Sequence, residues 1–251
     1  MTRSTNIANN RRDHIVNVEE TAVSIGVQRP PAQRVKGNAP SRPRAPKANA
    51  AKQAASLSTK SEKSRNLILQ SAARLFHEQG FSATTLRQIA AAARIEAGSI
   101  YYYFDSKEAI LDEVLDRGLR HVFESVKGAV NGAGQASHRR RIELAIEAHL
   151  VALLESSDFT SANIRIYGQL PEHLKKPHRP LRRAYARYWD KLFLDARKAG
   201  EIRADIEIVP LRIFVIGALN WTVEWFRLDS KDDVLKLARR TQMMVFDGIK
   251  K

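Results

Sequence analysis

The chain has no cysteine among its 251 residues, which excludes disulfide bonds, thiolate metal sites and cysteine nucleophiles. Acidic residues are scarce as well, because 27 Asp and Glu stand against 42 Lys and Arg and give a formal net charge of +15. Such an excess of positive charge attracts polyanions, such as nucleic acids or an anionic membrane surface. The lack of cysteine fits a reducing compartment such as the cytoplasm.

No long hydrophobic run is free of polar residues, and the N-terminal region has no hydrophobic signal core, so we expect no secretion. The most apolar stretch, residues 209–226, still contains Pro210, Arg212, Asn220 and Glu224. A membrane span of about 20 residues rarely contains this combination of proline, polar and charged residues. We therefore expect a buried helix here and no membrane partner.

Residues 1–60 contain no aromatic side chain and only three acidic residues, but they carry eleven Lys or Arg and a cluster of prolines. A segment of this composition cannot bury enough apolar surface to offset the entropy lost on ordering. We predict a disordered basic arm. Its role stays open between a solvated tail and an arm that tracks DNA phosphates without sequence specificity, and a targeting peptide is a weaker alternative.

From residue 61 onward, apolar residues recur at helical spacing and no segment alternates as a strand does. Gly80 is placed to end the first helix. Thr85 and Gln88 have the spacing of a capping box for a short second helix, although Thr84 is an equally good cap. A third short helix is predicted at residues 97–104.

Asp105 and Glu108 resemble another capping box, which would open a long helix over residues 106–130. Helices are predicted further along at residues 137–156, 160–169, 178–199, 207–228 and 231–249. The fold class is therefore all-α. We expect three parts: the arm (1–60), a region of short helices (61–107) and a region of longer helices (108–251).

Three short helices, the last two joined by a tight turn, and then a long helix form the layout of a helix-turn-helix DNA reader. Residues 64–111 resemble the N-terminal domain of the TetR family of repressors. The matching strings are Ala72-Ala73-Arg74-Leu75-Phe76, Thr84-Thr85-Leu86-Arg87-Gln88-Ile89-Ala90, Gly98-Ser99-Ile100-Tyr101-Tyr102-Tyr103-Phe104 and Ser106-Lys107-Glu108-Ala109-Ile110-Leu111.

One position departs from the family pattern. The family usually has glycine in the turn before the third helix, and this chain has Arg94 there. Arginine tolerates a positive φ angle poorly. Either the turn relaxes, or Arg94 is recruited to a phosphate.

The resemblance implies a helix-turn-helix DNA-binding domain at residues 61–107 and a ligand-binding and dimerisation domain at residues 108–251. It also implies a homodimer that binds a double-stranded, pseudo-palindromic DNA operator, with the third helix in the major groove. The implied DNA contacts are Thr84, Thr85, Arg87, Ala97, Gly98, Ser99, Tyr101, Tyr102, Tyr103 and Lys107. The threonines and Lys107 would bind phosphates, and the small residues would face base edges. Three alternatives stay open: Tyr101 packs in the core, Arg87 is merely solvated, and Lys107 pairs with a nearby aspartate.

The C-terminal half carries a second, shorter resemblance. Residues 199–205 and 218–226 are similar to the TetR branch linked to sterol and fatty-acid catabolism, whose effectors are acyl-CoA thioesters. Trp221 and Trp225 lie one turn apart with Gly217 one turn before them, which suggests a flat apolar slot. Arg165, or one of Arg182, Arg183, Arg187 and Arg212, would then meet the CoA phosphates. Alternatively, the two tryptophans pack in the core or at a dimer interface.

No catalytic residue is assigned, because the chain has no glycine-rich phosphate loop, nucleophile elbow or HEXXH motif. The histidines show no metal-ligand spacing, so neither a metal nor a cofactor is assigned. We therefore predict a cytoplasmic, nucleoid-associated regulator and not an enzyme. Two rivals stay open: an enzyme of CoA or lipid metabolism with a basic tail, and an architectural DNA binder without a ligand.

Overall fold

The computed structural model describes residues 48–155, 158–227 and 231–249, and the regular structure within these ranges is all helical. The α-helices are α1 (Ala48–Gln79), α2 (Leu86–Ala92), α3 (Lys107–Asn131), α4 (His138–Leu154), α5 (Asp158–Tyr167), α6 (Glu172–Lys175), α7 (Arg179–Lys198), α8 (Ile208–Trp225) and α9 (Lys231–Ile249). The all-α prediction is confirmed, and the five predicted helices after residue 136 lie close to their predicted positions.

The first helix starts earlier than the sequence pattern indicates. Helix α1 begins at Ala48, inside the segment that is predicted as a basic arm (1–60). The remainder of the predicted arm, residues 1–47, lies outside the described residues. At its other end α1 stops as expected: Gly80 has a φ angle of +84°, and the rings of Phe76 and Phe81 meet edge to face with centroids 5.5 Å apart.

The helix caps agree with the sequence analysis at one place and differ at another. Thr85 caps α2 in a full capping box with Gln88, as the spacing predicts. Helix α3 is capped by Ser106, whose hydroxyl accepts from the backbone N–H of Ala109, so the prediction of an Asp105 cap is wrong. The third short helix is a 3₁₀ helix, Ala97–Tyr102, which is tighter and shorter than predicted.

Two hydrophobic cores organise the helices. The N-terminal core is formed by α1, α2, the 3₁₀ helix and the first half of α3, and it includes Phe76, Ile89 and Ile100. The C-terminal core joins the second half of α3 with α4 and α7–α9 around Trp189 and Phe193. Helix α3 therefore belongs to both cores, so the boundary predicted between residues 107 and 108 falls at the start of a shared helix.

Helix α5 packs closely against α3 and also joins the N-terminal core through Ala162 and Ile166. Gly118 of α3 makes the close approach possible, since a Cβ atom there would lie 2.8 Å from the carbonyl carbon of Phe159. The side-chain amide of Asn163 donates to the carbonyl of Leu115 at 2.5 Å. These contacts fix α5 against the helix that connects the two cores.

Helix α8 is not the buried helix that its composition predicts. It packs on α4 and α7 and anchors itself through Arg212, which donates to Asp190 at 2.7 Å. Its outer face is exposed, with Phe214 at 70%. Among the described residues it is the helix long and apolar enough to cross a membrane by length and composition alone, and 22% of it is buried.

The turn after α2 keeps a left-handed conformation despite its arginine. Arg94 has a φ angle of +56°, and the backbone N–H groups of Arg94 and Ile95 bond to the carbonyls of Ala91 and Ala90. This is the pairing of a Schellman motif, in which glycine normally occupies the left-handed position. The expectation that the turn might relax is therefore wrong, and a non-glycine residue bears the steric cost.

Replacing Arg94 by glycine should stabilise the protein. Relief of the left-handed strain exceeds the extra entropy of glycine in the unfolded chain, so we expect Arg94→Gly to raise the free energy of unfolding by about 0.5–1 kcal/mol. The matched control is Ala91→Gly in the right-handed part of α2, which should lower it by about 0.5–1 kcal/mol. Urea unfolding at one protein concentration measures both. An Arg94→Gly protein less stable than the unsubstituted chain would contradict this account of the turn.

Candidate nucleic-acid interface and ligand cavity

The second helix and the 3₁₀ helix pack against each other, as a helix-turn-helix requires. Ile100 and Phe104 are buried in the N-terminal core. That packing turns the opposite side of the 3₁₀ helix outward. We call the predicted DNA contacts that are exposed on this side the reading head: Thr85, Arg87, Ala97, Gly98, Ser99, Tyr101 and Tyr102.

The exposure of the tyrosines settles one alternative. Tyr101 is 61% exposed and Tyr102 is 78% exposed, so Tyr101 does not pack in the core. Tyr103 is only half-buried and packs on the N-terminal core and edge to face on Tyr102, with ring centroids 4.9 Å apart. Two large aromatic rings therefore project from a surface whose other members are small or polar.

Two predicted phosphate ligands have other partners in the structure. Thr84 is fully buried, and its hydroxyl donates to the carbonyl of Gly80 at 2.7 Å. The ammonium group of Lys107 donates to the carbonyls of Phe81 and Thr84 at 2.9 and 2.8 Å and lies 4.2 Å from the centre of the Phe81 ring. Neither the predicted phosphate contacts nor the alternative pairing of Lys107 with an aspartate describes these positions.

Lys107 instead holds the reading head on the long helix. It stands at the start of α3 and binds the loop that leads into α2. Hydrogen bonds from a charged donor contribute about 1.5–3 kcal/mol each, and a cation over an aromatic ring adds to them. The lysine thus fixes the angle at which α2 leaves α1. Its role depends on a contact 23 and 26 residues away along the chain, which local spacing does not reveal.

The ligand-binding candidates divide between two places. Arg165, Gly217 and Trp221 line one outer groove of about 440 Å³ between α5 and α8, together with Ile164, Gln169, Asn220 and Glu224. Trp225 lines no part of this groove and is 53% exposed. Trp221 is itself 66% exposed, so neither tryptophan packs in the core of this chain.

An inner cavity of about 160 Å³ lies beside the groove and is lined by residues of α3, α4, α5, α7 and α8. Its apolar wall includes Leu119, Val122 and Ile216. Its polar lining is formed by His149, Thr160, Asn163, Arg182, Arg212 and Asn220. The cavity and the outer groove share Ile164 and Asn220, so the two spaces are adjacent.

A hydrogen-bonded chain crosses one side of the cavity. The two ring nitrogens of His149 lie 2.7 Å from the Tyr185 hydroxyl and 3.1 Å from the side-chain oxygen of Asn220. Because Asn220 presents an oxygen, His149 donates through Nε2 and accepts the tyrosine proton at Nδ1. Burial lowers the pKa of His149 to about 4, against the effect of the Asn220 bond, so the imidazole is neutral at pH 7.

Sequence reasoning found part of this cavity. Arg182 and Arg212 were among the candidate CoA-binding arginines, and Asn220 stood out as a polar residue in an apolar stretch. His149, Tyr185, Thr160 and Asn163 carried no such signal, because they come from three helices whose side chains meet only in the folded protein. His149 shows no metal-ligand spacing in the sequence, and its actual neighbours are a tyrosine and an asparagine.

Comparison with known families supports this geometry at both ends of the chain. Residues 68–114 match the family described as bacterial regulatory proteins, tetR family. Residues 135–249 match the family described as tetracyclin repressor-like, C-terminal domain. The first match covers the reading head, and the second covers α4 to α9.

Individual proteins give the same result. The chain is 30% identical to the HTH-type transcriptional repressor KstR2 of Rhodococcus jostii over 190 residues, which cover 74% of this chain and 90% of that protein. The structure of the ketosteroid transcriptional regulator KstR2 of Mycobacterium tuberculosis superposes with a TM-score of 0.65 at 24% identity, covering 74% of this chain and 95% of that one.

A further solved structure, AibR in complex with isovaleryl coenzyme A and operator DNA, has a TM-score of 0.66 at 21% identity and covers 73% of this chain and 98% of that one. At these identities the two solved structures establish a shared fold. The matching families and the curated relative are transcriptional regulators and not enzymes. The chain belongs to the TetR family of bacterial transcriptional regulators.

Proposed function

We propose that this chain is a sequence-specific repressor that binds a pseudo-palindromic operator as a homodimer and is released by a small-molecule effector. The observation that supports this proposal best is the reading head, in which the exposed Tyr101 and Tyr102 follow a patch of small residues on a helix-turn-helix. Small side chains allow the backbone to approach DNA closely, and tyrosine rings reach the backbone or thymine methyl groups. The residues from 61 to 107 would read DNA, and those from 108 to 251 would regulate it.

Thr85, Arg87, Ser99, Tyr101 and Tyr102 are the DNA contacts that the geometry supports best. Thr85 stands at the N-terminus of α2, where free N–H groups attract a phosphate. Arg87 and Arg94 are exposed, and both can reach phosphates. Ala97 and Gly98 offer no polar side chain, so much of the affinity comes from phosphate contacts. Thr84 and Lys107 support this surface from within.

The homodimer is proposed to form through the exposed apolar faces of α8 and α9. The exposed large apolar side chains of these helices are Val209, Ile213, Phe214, Trp221, Trp225, Met243 and Met244. Large apolar side chains exposed in this number indicate an interaction site. A dimer with its two-fold axis through this face would bury Trp225 in the interface. It would also place the two reading heads one duplex turn, about 34–36 Å, apart.

The effector is proposed to be an acyl-CoA thioester. AibR, which has the same fold, was solved with isovaleryl coenzyme A and operator DNA. In this chain the inner cavity and the outer groove meet at Ile164 and Asn220, an arrangement that suits a ligand with a compact acyl part and a long polar part. The CoA part would lie along the groove beside Arg165, Gly217 and Trp221, and the acyl part would enter the cavity.

Helix α5 would couple the effector to DNA. Thr160 and Asn163 line the inner cavity, whereas Ala162 and Ile166 of the same helix are buried in the N-terminal core beside the reading head. A ligand that favours one position of α5 therefore favours one position of the head. If that position does not match the operator spacing, the ligand shifts the population off DNA.

This proposal places the protein in the cytoplasm, associated with the nucleoid. The rival enzyme would turn over an acyl-CoA, and the rival architectural binder would depend on the basic arm alone. A chain that starts at Lys47 tests the architectural alternative, because it lacks residues 1–46 of the basic arm and retains the described helices.

Operator binding should depend on two exposed side chains of the head. Selection from random DNA is expected to give a pseudo-palindromic site, and Arg87→Ala with Tyr101→Ala should weaken binding to it by roughly a thousandfold or more, since each contact contributes about 1–2 kcal/mol and the homodimer makes each contact twice. Arg87→Ala alone should reduce the slope of log affinity against log salt by about 2, because the dimer loses two phosphate contacts. Fluorescence anisotropy with labelled operator measures both effects.

Two controls define that experiment. Arg203→Ala removes an exposed arginine from the connector before α8 and should leave operator affinity unchanged. The chain that starts at Lys47 should keep its preference for the selected site over random DNA. Full affinity in the double variant, or loss of specificity on removal of residues 1–46, would refute the assigned head.

A charge on the outer face of α8 should break the dimer. Phe214→Glu is expected to raise the dimer dissociation constant by roughly a hundredfold or more, because a two-fold interface contains the altered residue twice. Leu67→Glu is the matched control, since Leu67 is an exposed apolar residue of α1. Analytical ultracentrifugation gives the masses. A Phe214→Glu protein that dimerises as tightly as the unsubstituted chain would place the interface elsewhere.

A further inference from the structure

The inner cavity contains hydrogen-bonding atoms that the protein itself does not use. The Thr160 hydroxyl is buried, with the residue 2% exposed, and it has no hydrogen-bond partner among the described residues. The Nε–H of Arg182 is buried and likewise lacks an acceptor there. Both residues line the same cavity. Buried polar groups are paired as a rule, so unpaired groups on two residues that line one cavity indicate that a ligand completes them.

The charge in this cavity is also uncompensated. Arg212 is paired with Asp190, with their nitrogen and oxygen 2.7 Å apart. Arg182 donates to the neutral side chain of Asn163 and lies over the Tyr167 ring, 3.3 Å from its centre, and it forms no ion pair with any carboxylate that the structure describes. Burial lowers the pKa of Arg182 to about 10, which still leaves the guanidinium charged at pH 7.

The neighbouring groups decide which kind of ligand suits this charge. His149 is neutral, and its two ring nitrogens are occupied by Tyr185 and Asn220. The Asn163 oxygen already accepts from Arg182, and the two unpaired groups, the Arg182 Nε–H and the Thr160 hydroxyl, can both donate to a ligand. A guanidinium edge and a hydroxyl together match a carboxylate, which has two acceptor oxygens.

Size sets a further limit. The cavity measures about 160 Å³, and a cavity of about 150 Å³ holds one benzene molecule. Leu119, Val122 and Ile216 give it an apolar wall. It therefore takes a body of roughly six to eight non-hydrogen atoms with one charged end, and it is too small for a CoA moiety.

We propose that the inner cavity binds a carboxylate group carried on a short apolar body, with Arg182 and Thr160 as its hydrogen-bond donors. This inference rests on the proposed function in taking the cavity as the effector site, and it narrows the effector class. The carboxylate has two possible sources: a free short-chain acid that lies wholly inside the cavity, or the far end of a carboxyacyl-CoA whose CoA part lies in the outer groove.

Calorimetric titration of the full-length chain with two matched probe pairs tests the proposal and distinguishes the sources. Hexanoate is compared with hexanamide, and adipoyl-CoA with hexanoyl-CoA. A free acid predicts that hexanoate binds at least tenfold more tightly than hexanamide, because a charged hydrogen-bonded pair replaces a neutral one. A carboxyacyl-CoA predicts the same preference for adipoyl-CoA over hexanoyl-CoA. The proposal is overturned if hexanoate binds no more tightly than hexanamide and adipoyl-CoA binds no more tightly than hexanoyl-CoA.

Variants attribute the preference to named atoms. Arg182→Gln should remove it, Arg182→Lys should retain part of it, and Thr160→Val should reduce carboxylate affinity by roughly three- to tenfold while preserving the side-chain shape. Lys191→Gln, which removes an exposed charge from the same helix, should change nothing. If Arg182→Gln fails to fold, the Lys and Val variants decide the question. A preference that persists unchanged in these variants would overturn the assignment.

Operator binding, measured separately with each probe, keeps the two proposals apart. A probe that binds through Arg182 but leaves operator affinity unchanged supports the carboxylate site and refutes its role as the effector site. An acyl-CoA that releases operator with no carboxylate preference and no dependence on Arg182 refutes the carboxylate site and leaves the proposed function standing.

Discussion

The structure depends on the close packing of α5 against α3. Gly118 lets the two helices approach until the backbone of Phe159 occupies the space that a side chain would need, and Asn163 bonds to the α3 backbone at Leu115. Helix α5 is held tightly against α3, and each of its two faces has a separate role. One face completes the core under the reading head, and the other lines the inner cavity. Tight interiors transmit displacement instead of absorbing it, which is the physical basis for the proposed coupling.

The reading head is held in place by contacts that differ from those expected. Lys107 binds the loop before α2 through two carbonyls, and the left-handed Arg94 sets the turn that follows α2. Both residues carry a positive charge beside the reading head, yet the ammonium group of Lys107 bonds inward to the protein. The exposed tyrosines can project only because Ile100 anchors the opposite side of a single 3₁₀ helix. The residues that hold the reading head in place are therefore different from the tyrosines that project from it.

Local sequence patterns predict most of the helices but only part of the reading head and of the inner cavity. Helical periodicity, the Thr85 capping box and the stop at Gly80 act within a few residues, so they can be read from the sequence. The cap at Ser106, the burial of Thr84 and the contacts of Lys107 depend on packing between segments. The inner cavity was only partly visible, because five helices bring its lining together. Exposure of the outer face of α8 could not be inferred either, since an apolar composition suits a covered interface as well as a core.

The central claim is that occupancy of the cavity beside α5 changes the affinity for operator DNA. Thermodynamic linkage tests it most directly: operator affinity is measured with and without saturating adipoyl-CoA or hexanoate, and probe affinity with and without operator. The account predicts that at least one probe weakens operator binding by about fivefold or more, and that operator weakens binding of that probe by the same factor. A probe that fills the cavity, as shown by its loss of affinity in Arg182→Gln, and leaves operator affinity unchanged would contradict the account.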